Sequence, residues 1–244
     1  MEFLPLATFF VAFISSILSG IAGGGGGFIM APYWLIAGLT PAQGAATGAF
    51  MALGMGSGSL VAFRGTDYLT KHNKLVKFLL VMTLLTSLVG PFFLRMVSVE
   101  VFKPILALIT LASLPFLFIK IPRLEAARKH HIVSLVALVL LSLASSFITS
   151  SAFSILTSVI LLQIFRTSVL EATAIRRVTG IIQSAVIFIV LVSLGNFVWQ
   201  HALAGITGGT LGSYLGTKFA LKKGERFAKY ALAIGAIIGV VALF

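Results

Sequence analysis

Apolar residues occur along this chain in long runs that are separated by short polar or basic stretches. Measured against the thickness of a bilayer, the runs predict about five membrane segments in each half. The predicted segments lie near residues 3–22, 27–38, 42–63, 75–96 and 101–120, and then near 131–150, 152–165, 172–193, 201–221 and 227–244. The second segment of each half covers only about 20 Å as a helix, which is too short for a full span.

The composition supports an all-α polytopic membrane protein. The 244 residues are 59% hydrophobic and 10% charged, with a mean hydropathy of +1.10. The first segment lacks a basic leader region, so we interpret it as a retained span. The chain has no Cys, which excludes disulfides and thiolate sites. The net charge of +12 is interpreted as a topology signal and not as nucleic-acid binding.

The sequence matches itself at an offset of about 126–127 residues. VGPFFLRMVSVEVFKPILA (89–107) aligns with LGTKFALKKGERFAKYALA (215–233), and Thr40 aligns with Thr167. A match that keeps its offset indicates duplication. We therefore predict an N-terminal repeat (1–121), a basic linker (122–130) and a C-terminal repeat (131–244).

The basic residues indicate how the two repeats are oriented. If the short second-half segment crosses the membrane, one side holds every Lys and Arg except Arg95 and Lys103. If it does not cross, the two sides share these residues almost evenly. The positive-inside rule selects the crossing model, in which the second half is inverted relative to the first. The count leaves open whether the first half crosses five times, with the N-terminus outside, or four times.

In the inverted arrangement, two helix breaks enter the membrane from opposite faces: GIAGGGGG (20–27) and SFITSSAFS (146–154). Irregular backbone at that depth lines a wet cavity or is covered by protein. Glycine lets a ligand approach the backbone, and free N–H groups at a helix start attract anions. Gly24, Gly25 and Gly26 are the candidate backbone donors, and Ser150 and Ser151 the candidate hydroxyl donors. The alternative is that these small residues only permit close helix packing.

Five further side chains complete the candidate site. Gln43 and Thr47 lie in the first turns of the third segment, and Gln183 lies inside the eighth. Arg176 and Arg177 lie about one turn inside the eighth segment, where an arginine is costly. Their position fits either contact with an anion or anchoring at the cytoplasmic surface, and the sequence does not decide between the two.

The placement of the other ionisable residues favours an anion as the transported species. All six carboxylates lie in or beside predicted loops, and the four His residues are peripheral. Neither a mid-span carboxylate nor a metal-ligand spacing is present, so we expect no metal and no cofactor. The sequence also lacks a buried Ser/His/Asp or paired-carboxylate set, so we expect no enzyme activity.

The stretch FISSILSGIAGGGGGFIMAPYWLIAGLTPAQGAATGAF and the later RGTDYL (64–69) resemble the signature of the sulfite exporter TauE/SafE family. With the duplication, the resemblance covers essentially the whole chain. It implies a multi-pass permease of a prokaryotic cytoplasmic membrane for small sulfur-containing anions such as sulfite or sulfoacetate. Family members often repeat a Gly-rich break in the second half, whereas this chain has SFITSSAFS there.

The sequence thus predicts an inverted-repeat secondary transporter that moves such anions by alternating access around a midplane site. A passive anion channel and a non-transporting membrane scaffold protein are the alternatives. The expected partners are a small anion, the lipid bilayer and a coupling ion, either proton or sodium. The direction of transport and the oligomeric state are not encoded in any pattern that we can identify.

Overall fold

The structure is a computed structural model. It describes residues 3–23, 26–94 and 165–224, together with scattered residues between 100 and 162 and between 226 and 230. All regular secondary structure in these described parts is helical. The helices are α1 (Phe3–Ala22), α2 (Gly26–Ile36), α3 (Pro41–Ala62), α4 (Tyr68–Lys71), α5 (Asn73–Leu94), α6 (Val169–Ser193) and α7 (Trp199–Lys223).

Two helices, α3 and α6, begin with a capping box. At the start of α3, the Thr40 hydroxyl accepts from the Gln43 backbone N–H and the Gln43 side chain accepts from the Thr40 N–H. Ser168 and Glu171 make the same reciprocal pair at the start of α6. Such a capping box satisfies two N–H groups that have no partner within the helix.

The glycine run separates α1 from α2. Gly23 follows α1 with a φ of +70°, a conformation that glycine adopts without strain. Three residues later the chain enters α2, whose 11 residues span about 17 Å. The predicted break and the predicted short segment after it are therefore both confirmed. Gly24 and Gly25 lie outside the described residues.

Helices α1 and α7 pack through glycines spaced four residues apart. A Cβ added at Gly208 would lie 2.5 Å from the Phe9 carbonyl oxygen, and one at Gly212 or Gly216 would overlap the backbone of α1. Such small-xxx-small patterns let two backbones approach closely in membrane proteins. Later residues of α7 contact later residues of α1, so the two helices are parallel.

Helix α3 lies between α7 and α6. Its Gly54 and Gly58 face Thr210 of α7, and its Gly56 faces Ile181 of α6. The contacts along α7 advance in the same direction as α3, so α3, α7 and α1 are parallel. At the other end of α3, alanines including Ala45 and Ala49 pack with Ile187 and Leu191 of α6, so α3 and α6 are antiparallel.

Helix α5 packs along α6, and the two helices begin beside each other. Lys71 donates from Nζ to Glu171 Oε1 at 2.6 Å just before α5 begins. Val76 and Leu79 of α5 share a buried cluster with Ala172 and Ile175 of α6. This places α5 parallel to α6 and antiparallel to α3.

The outer faces of the helices are apolar. Exposed large side chains recur every four residues at Leu6, Phe10 and Ile14 on α1. On α7 they recur at intervals of eight, four and four residues, at Leu203, Leu211, Leu215 and Phe219. The stripe on α7 covers about 24 Å along the helix axis, close to the thickness of a hydrocarbon layer. Within the described residues, α3 and α6 are long and apolar enough to cross a membrane.

Six predicted segments match described helices to within a few residues: 3–22, 27–38, 42–63, 75–96, 172–193 and 201–221. Four others, 101–120, 131–150, 152–165 and 227–244, fall mostly or wholly outside the described residues, as does the linker 122–130. The division into two repeats at that linker therefore stays a prediction.

Candidate functional site

A cavity of about 270 Å³ lies where α2, α3 and α6 meet. It begins at the break after α1, where Ser19, Gly23, Gly26 and Gly27 contribute to its wall. The rest of the described lining comes mainly from the small-residue face of α3 and from one face of α6. Further side chains are Leu79 and Thr83 of α5, and Leu138, Ser142 and Thr157.

Arg177 of α6 joins the cavity to the break. Its Nη2 donates to the Ser19 carbonyl oxygen at 2.5 Å and to the Ser19 hydroxyl at 2.9 Å. Its Nε is buried and has no hydrogen-bond partner among the described residues. A buried donor without a partner costs free energy, so this N–H is available for an acceptor that enters the cavity.

Arg176 contributes a second guanidinium to the same cavity. Its Nη1 donates to the Ser158 hydroxyl at 2.6 Å. Both arginines are half-buried and lie about 11 Å from the start of α6. The break lies at a similar depth, because Gly26 faces Met55, about 10 Å from the end of α3. The arginines therefore lie beside the break, and they lie about two helical turns inside α6 rather than the one turn that the sequence predicts.

The opposite wall is apolar and is dominated by Trp34 of α2. Its side chain packs against Gly44 and Gly48 of α3, where an added Cβ would lie 3.0 Å from the Trp34 Cβ and 3.1 Å from the indole Nε1 respectively. Met30, Met51 and other aliphatic side chains extend this wall. The cavity therefore presents one cationic side and one apolar side to a ligand.

Positive charge in the cavity is not balanced by carboxylates in the described lining, which contains no Asp or Glu. Nor do the described residues contain a group of three or more His, Asp or Glu side chains that could hold a metal ion. Two guanidiniums without a neighbouring carboxylate attract an anion, and their planar N–H groups match its oxygens.

The structure brings together part of the predicted site. Gly26, Arg176, Arg177 and Gln183 line the cavity. Gln43 and Thr47 do not line it: Gln43 caps α3, and the fully buried Thr47 hydroxyl has no hydrogen-bond partner among the described residues. Gly24, Gly25, Ser150 and Ser151 lie outside the described residues, so their roles stay predictions.

Sequence reasoning missed Ser19, Trp34 and Thr83. Ser19 is one residue before the predicted break, so its position was a usable signal. Trp34 is the one indole of the short second segment, and large aromatic side chains often line ligand cavities. Thr83 carries no local signal, because nothing in the fourth segment indicates which of its faces meets α6.

Comparison with known proteins finds a transporter family and several relatives described as membrane transporters. The profile of the family described as sulfite exporter TauE/SafE matches residues 8–243. A probable membrane transporter protein of Haemophilus influenzae is 26% identical over 232 residues, covering 93% of this chain and 89% of that protein. One from Sinorhizobium is 28% identical over 244 residues, with 97% and 89% covered. The Escherichia coli K12 probable membrane transporter protein YfcA is 22% identical over 231 residues, with 93% and 84% covered. No solved structure matches the chain.

Proposed function

The chain belongs to the sulfite exporter TauE/SafE family, and we propose that it is a secondary transporter of small sulfur-containing anions such as sulfite or sulfonates. It works in a prokaryotic cytoplasmic membrane and moves its anion by alternating access. The relatives described as probable membrane transporter proteins support the general activity. The choice of an anion rests on the chemistry of the cavity.

The observation that carries the proposal is the pair of guanidiniums beside the helix break. Arg176 and Arg177 line one cavity whose described wall has no carboxylate. The Nε of Arg177, which has no hydrogen-bond partner among the described residues, adds a donor at the same place. Sulfite and sulfonate groups present several oxygens to such donors, and charge-assisted hydrogen bonds are roughly twice as strong as those between neutral groups.

The size of the cavity limits the anion to a small one. About 270 Å³ is at the lower end of the range for ligand pockets. A sulfonate has a charged head and a carbon tail, which suit the arginine side and the Trp34 side respectively. Sulfite would use the arginine side alone.

Two inverted repeats are part of the proposal, since they allow one site to open alternately to either side. The helix directions support them. Helices α3 and α6 correspond at the repeat offset and are antiparallel, and α5 is antiparallel to its counterpart α7. The packing partners correspond as well. Helix α3 packs on α6 and α7, and its counterpart α6 packs on α3 and α5, which are the counterparts of α6 and α7.

Binding and transport by purified protein in liposomes test the proposal. Sulfite, methanesulfonate, sulfoacetate and sulfate are screened by thermal shift, and uptake of labelled sulfite and methanesulfonate is measured. Arg177→Gln should weaken anion affinity by about 10- to 100-fold, because a hydrogen bond to a charged group contributes about 1.5–3 kcal/mol. Arg64→Gln, at an exposed arginine, is the matched control and should leave affinity unchanged.

Each alternative gives a different result. A passive channel shows uptake that does not saturate and is not stimulated by anion on the opposite side. A scaffold protein shows neither a thermal shift nor uptake with any of these anions. Equal affinity in Arg177→Gln and the native protein would remove the arginine from the site and overturn the proposed mode of binding.

A further inference from the structure

A buried histidine joins three helices at the end of the molecule opposite the paired arginines. His201, in the first turn of α7, is 4% exposed. Its Nδ1 lies 2.7 Å from the hydroxyl of Thr8 on α1, which is fully buried. The same hydroxyl lies 2.6 Å from the phenol oxygen of Tyr33 on α2. The hydrogen bonds therefore connect the imidazole to the short helix that forms one wall of the cavity.

His201 also contacts the cavity wall directly. Its ring lies 5.9 Å from the ring of Trp34, measured between centroids, at an interplanar angle of 77°. Trp34 lines the cavity and packs on the small-residue face of α3. A change of charge on the imidazole is thus one aromatic ring away from the apolar side of the cavity, where the carbon tail of a sulfonate would lie.

The described helices that pack around His201 carry no formal charge near the imidazole. Helices α1, α2 and α3 contain no Asp, Glu, Lys or Arg at all. On α7 itself the first charged side chain after His201 is Lys218, about 25 Å further along the helix. Tyr33 is the one other titratable group that faces the imidazole from the described helices around it.

We propose that the co-transported ion is a proton and that His201 binds it. The inference rests on the proposed anion transport and names its coupling partner. An ionisable group buried in a membrane domain is costly, and such groups mark ion pathways and proton relays. Histidine is the side chain whose charge changes within the neutral pH range.

Protonation changes what His201 can do in its contact with Thr8. A neutral imidazole either accepts or donates at Nδ1, depending on its tautomer, whereas the protonated ring only donates there. Proton uptake therefore excludes the arrangement in which the Thr8 hydroxyl donates to Nδ1, and leaves the one in which Nδ1 donates to the hydroxyl. Because Thr8 also contacts Tyr33, the charge state of His201 biases the position of α2, the wall of the cavity.

The charges of the two substrates complement each other. A proton on His201 places one positive charge in a region whose three flanking helices carry none. A monovalent anion bound at the two guanidiniums lowers the net positive charge of the cavity beside His201, so each substrate favours the binding of the other. Transport of one proton with one monovalent anion is electrically neutral.

The test is gradient-driven uptake of labelled methanesulfonate by liposomes whose membrane potential is held at zero. With the lumen about one pH unit more alkaline, coupling of one proton per anion gives about tenfold accumulation in the native protein. His201→Gln should lose this accumulation, while exchange of labelled for unlabelled methanesulfonate stays measurable, although slower. His72→Gln is the matched control and should keep both activities.

A measurement on the native protein makes the test independent of how the variant folds. A pH-sensitive dye outside the liposomes should report the uptake of one proton for each methanesulfonate that enters. Anion uptake without proton uptake, or full accumulation by folded His201→Gln, overturns the proposal. Absence of anion exchange in the native protein with methanesulfonate and with sulfite overturns the proposed function itself.

Discussion

Gly23 allows the chain to leave α1 and enter α2 within a few residues. Its φ of +70° disfavours any residue with a Cβ, and a Cβ there would overlap the side chain of Thr173 on α6. The break is therefore fixed both by backbone conformation and by contact with α6. This residue places the start of α2 beside Ser19 and Arg177.

Gly23→Ala tests this role, with Gly65→Ala as its matched control. Gly65 has a φ of +88° but no atom within 4 Å of an added Cβ, so its substitution introduces backbone strain alone, about 1 kcal/mol. Gly23→Ala adds the overlap with Thr173 and should lower the melting temperature in detergent further. Thr173→Ala in the same chain should recover part of the loss. Equal effects of the two glycine substitutions would contradict the contact.

Single residues also show where sequence reasoning reaches its limit. The run of five glycines predicted the break because no ordinary membrane helix tolerates it. The sequence Thr40-Pro41-Ala42-Gln43 matches the capping-box pattern, so the role of Gln43 at the start of α3 was readable locally. Arg176 and Arg177 were ambiguous, because their depth depends on the start of α6, three residues before the predicted segment.

Helix α7 shows how the position of a glycine decides its function. Gly205 and Gly212 are both buried in this helix. A Cβ at Gly205 would lie 3.5 Å from Met51, an ordinary contact, whereas one at Gly212 would overlap the carbonyl oxygen of Phe13. The same substitution at the two sites therefore separates helix propensity from packing.

Gly205→Ala should leave stability unchanged or raise it by up to about 1 kcal/mol, since alanine favours a helix over glycine. Gly212→Ala should destabilise the protein by about 1–3 kcal/mol, since α1 must move away. Unfolding in detergent with increasing denaturant gives both values. A stable Gly212→Ala protein would contradict the close parallel packing of α1 and α7.

The start of α6 depends on Glu171, which acts both in a cap and in an ion pair. Glu171 Oε2 accepts from the Ser168 N–H at 2.7 Å, and Oε1 accepts from Lys71, whose pKa is raised by this bond. Glu171→Ala removes both and should cost about 1–2 kcal/mol. Lys71→Ala removes only the ion pair with a largely exposed side chain and should cost less. Thermal unfolding of the two variants gives the order of their stabilities. A larger loss of stability in Lys71→Ala than in Glu171→Ala would contradict the view that the cap contributes more than the ion pair.

At the level of elements, the apolar runs predict the helices but not which helices pack together. Apolar run length predicted six segments to within a few residues because membrane thickness limits helix length. The partner of each helix follows from steric fit, as between Gly54 and Thr210 or between Gly56 and Ile181. The spacing of Gly208, Gly212 and Gly216 was the readable signal for one of these interfaces.

For the whole molecule, the helix directions bear on the side of the membrane at which α1 begins, which the count of basic residues left open. Helices α1 and α3 both run parallel to α7, so α2 carries the chain back between them. The N-terminus then lies on the side of the membrane where α3 begins. The basic residues around α4, including Arg64 and Lys74, lie on the opposite side, which the positive-inside rule assigns to the cytoplasm. These directions indicate that α1, α2 and α3 alternate in direction, whereas the fifth predicted segment of this half, 101–120, lies mostly outside the described residues.

Side-specific labelling of single cysteines tests the inverted repeats, and the absence of native Cys provides a clean background. Lys74 and Gln200 are both exposed and are separated by the repeat offset of 126 residues. Inverted repeats place them on opposite sides of the membrane. In intact cells, a membrane-impermeant maleimide should label Gln200→Cys but should label Lys74→Cys only after the membrane is opened. Lys222→Cys should behave like Lys74→Cys, since α7 ends where α5 begins. Labelling of Lys74→Cys and Gln200→Cys from the same side would instead require parallel repeats, which cannot open one central site alternately by exchanging the conformations of two inverted halves.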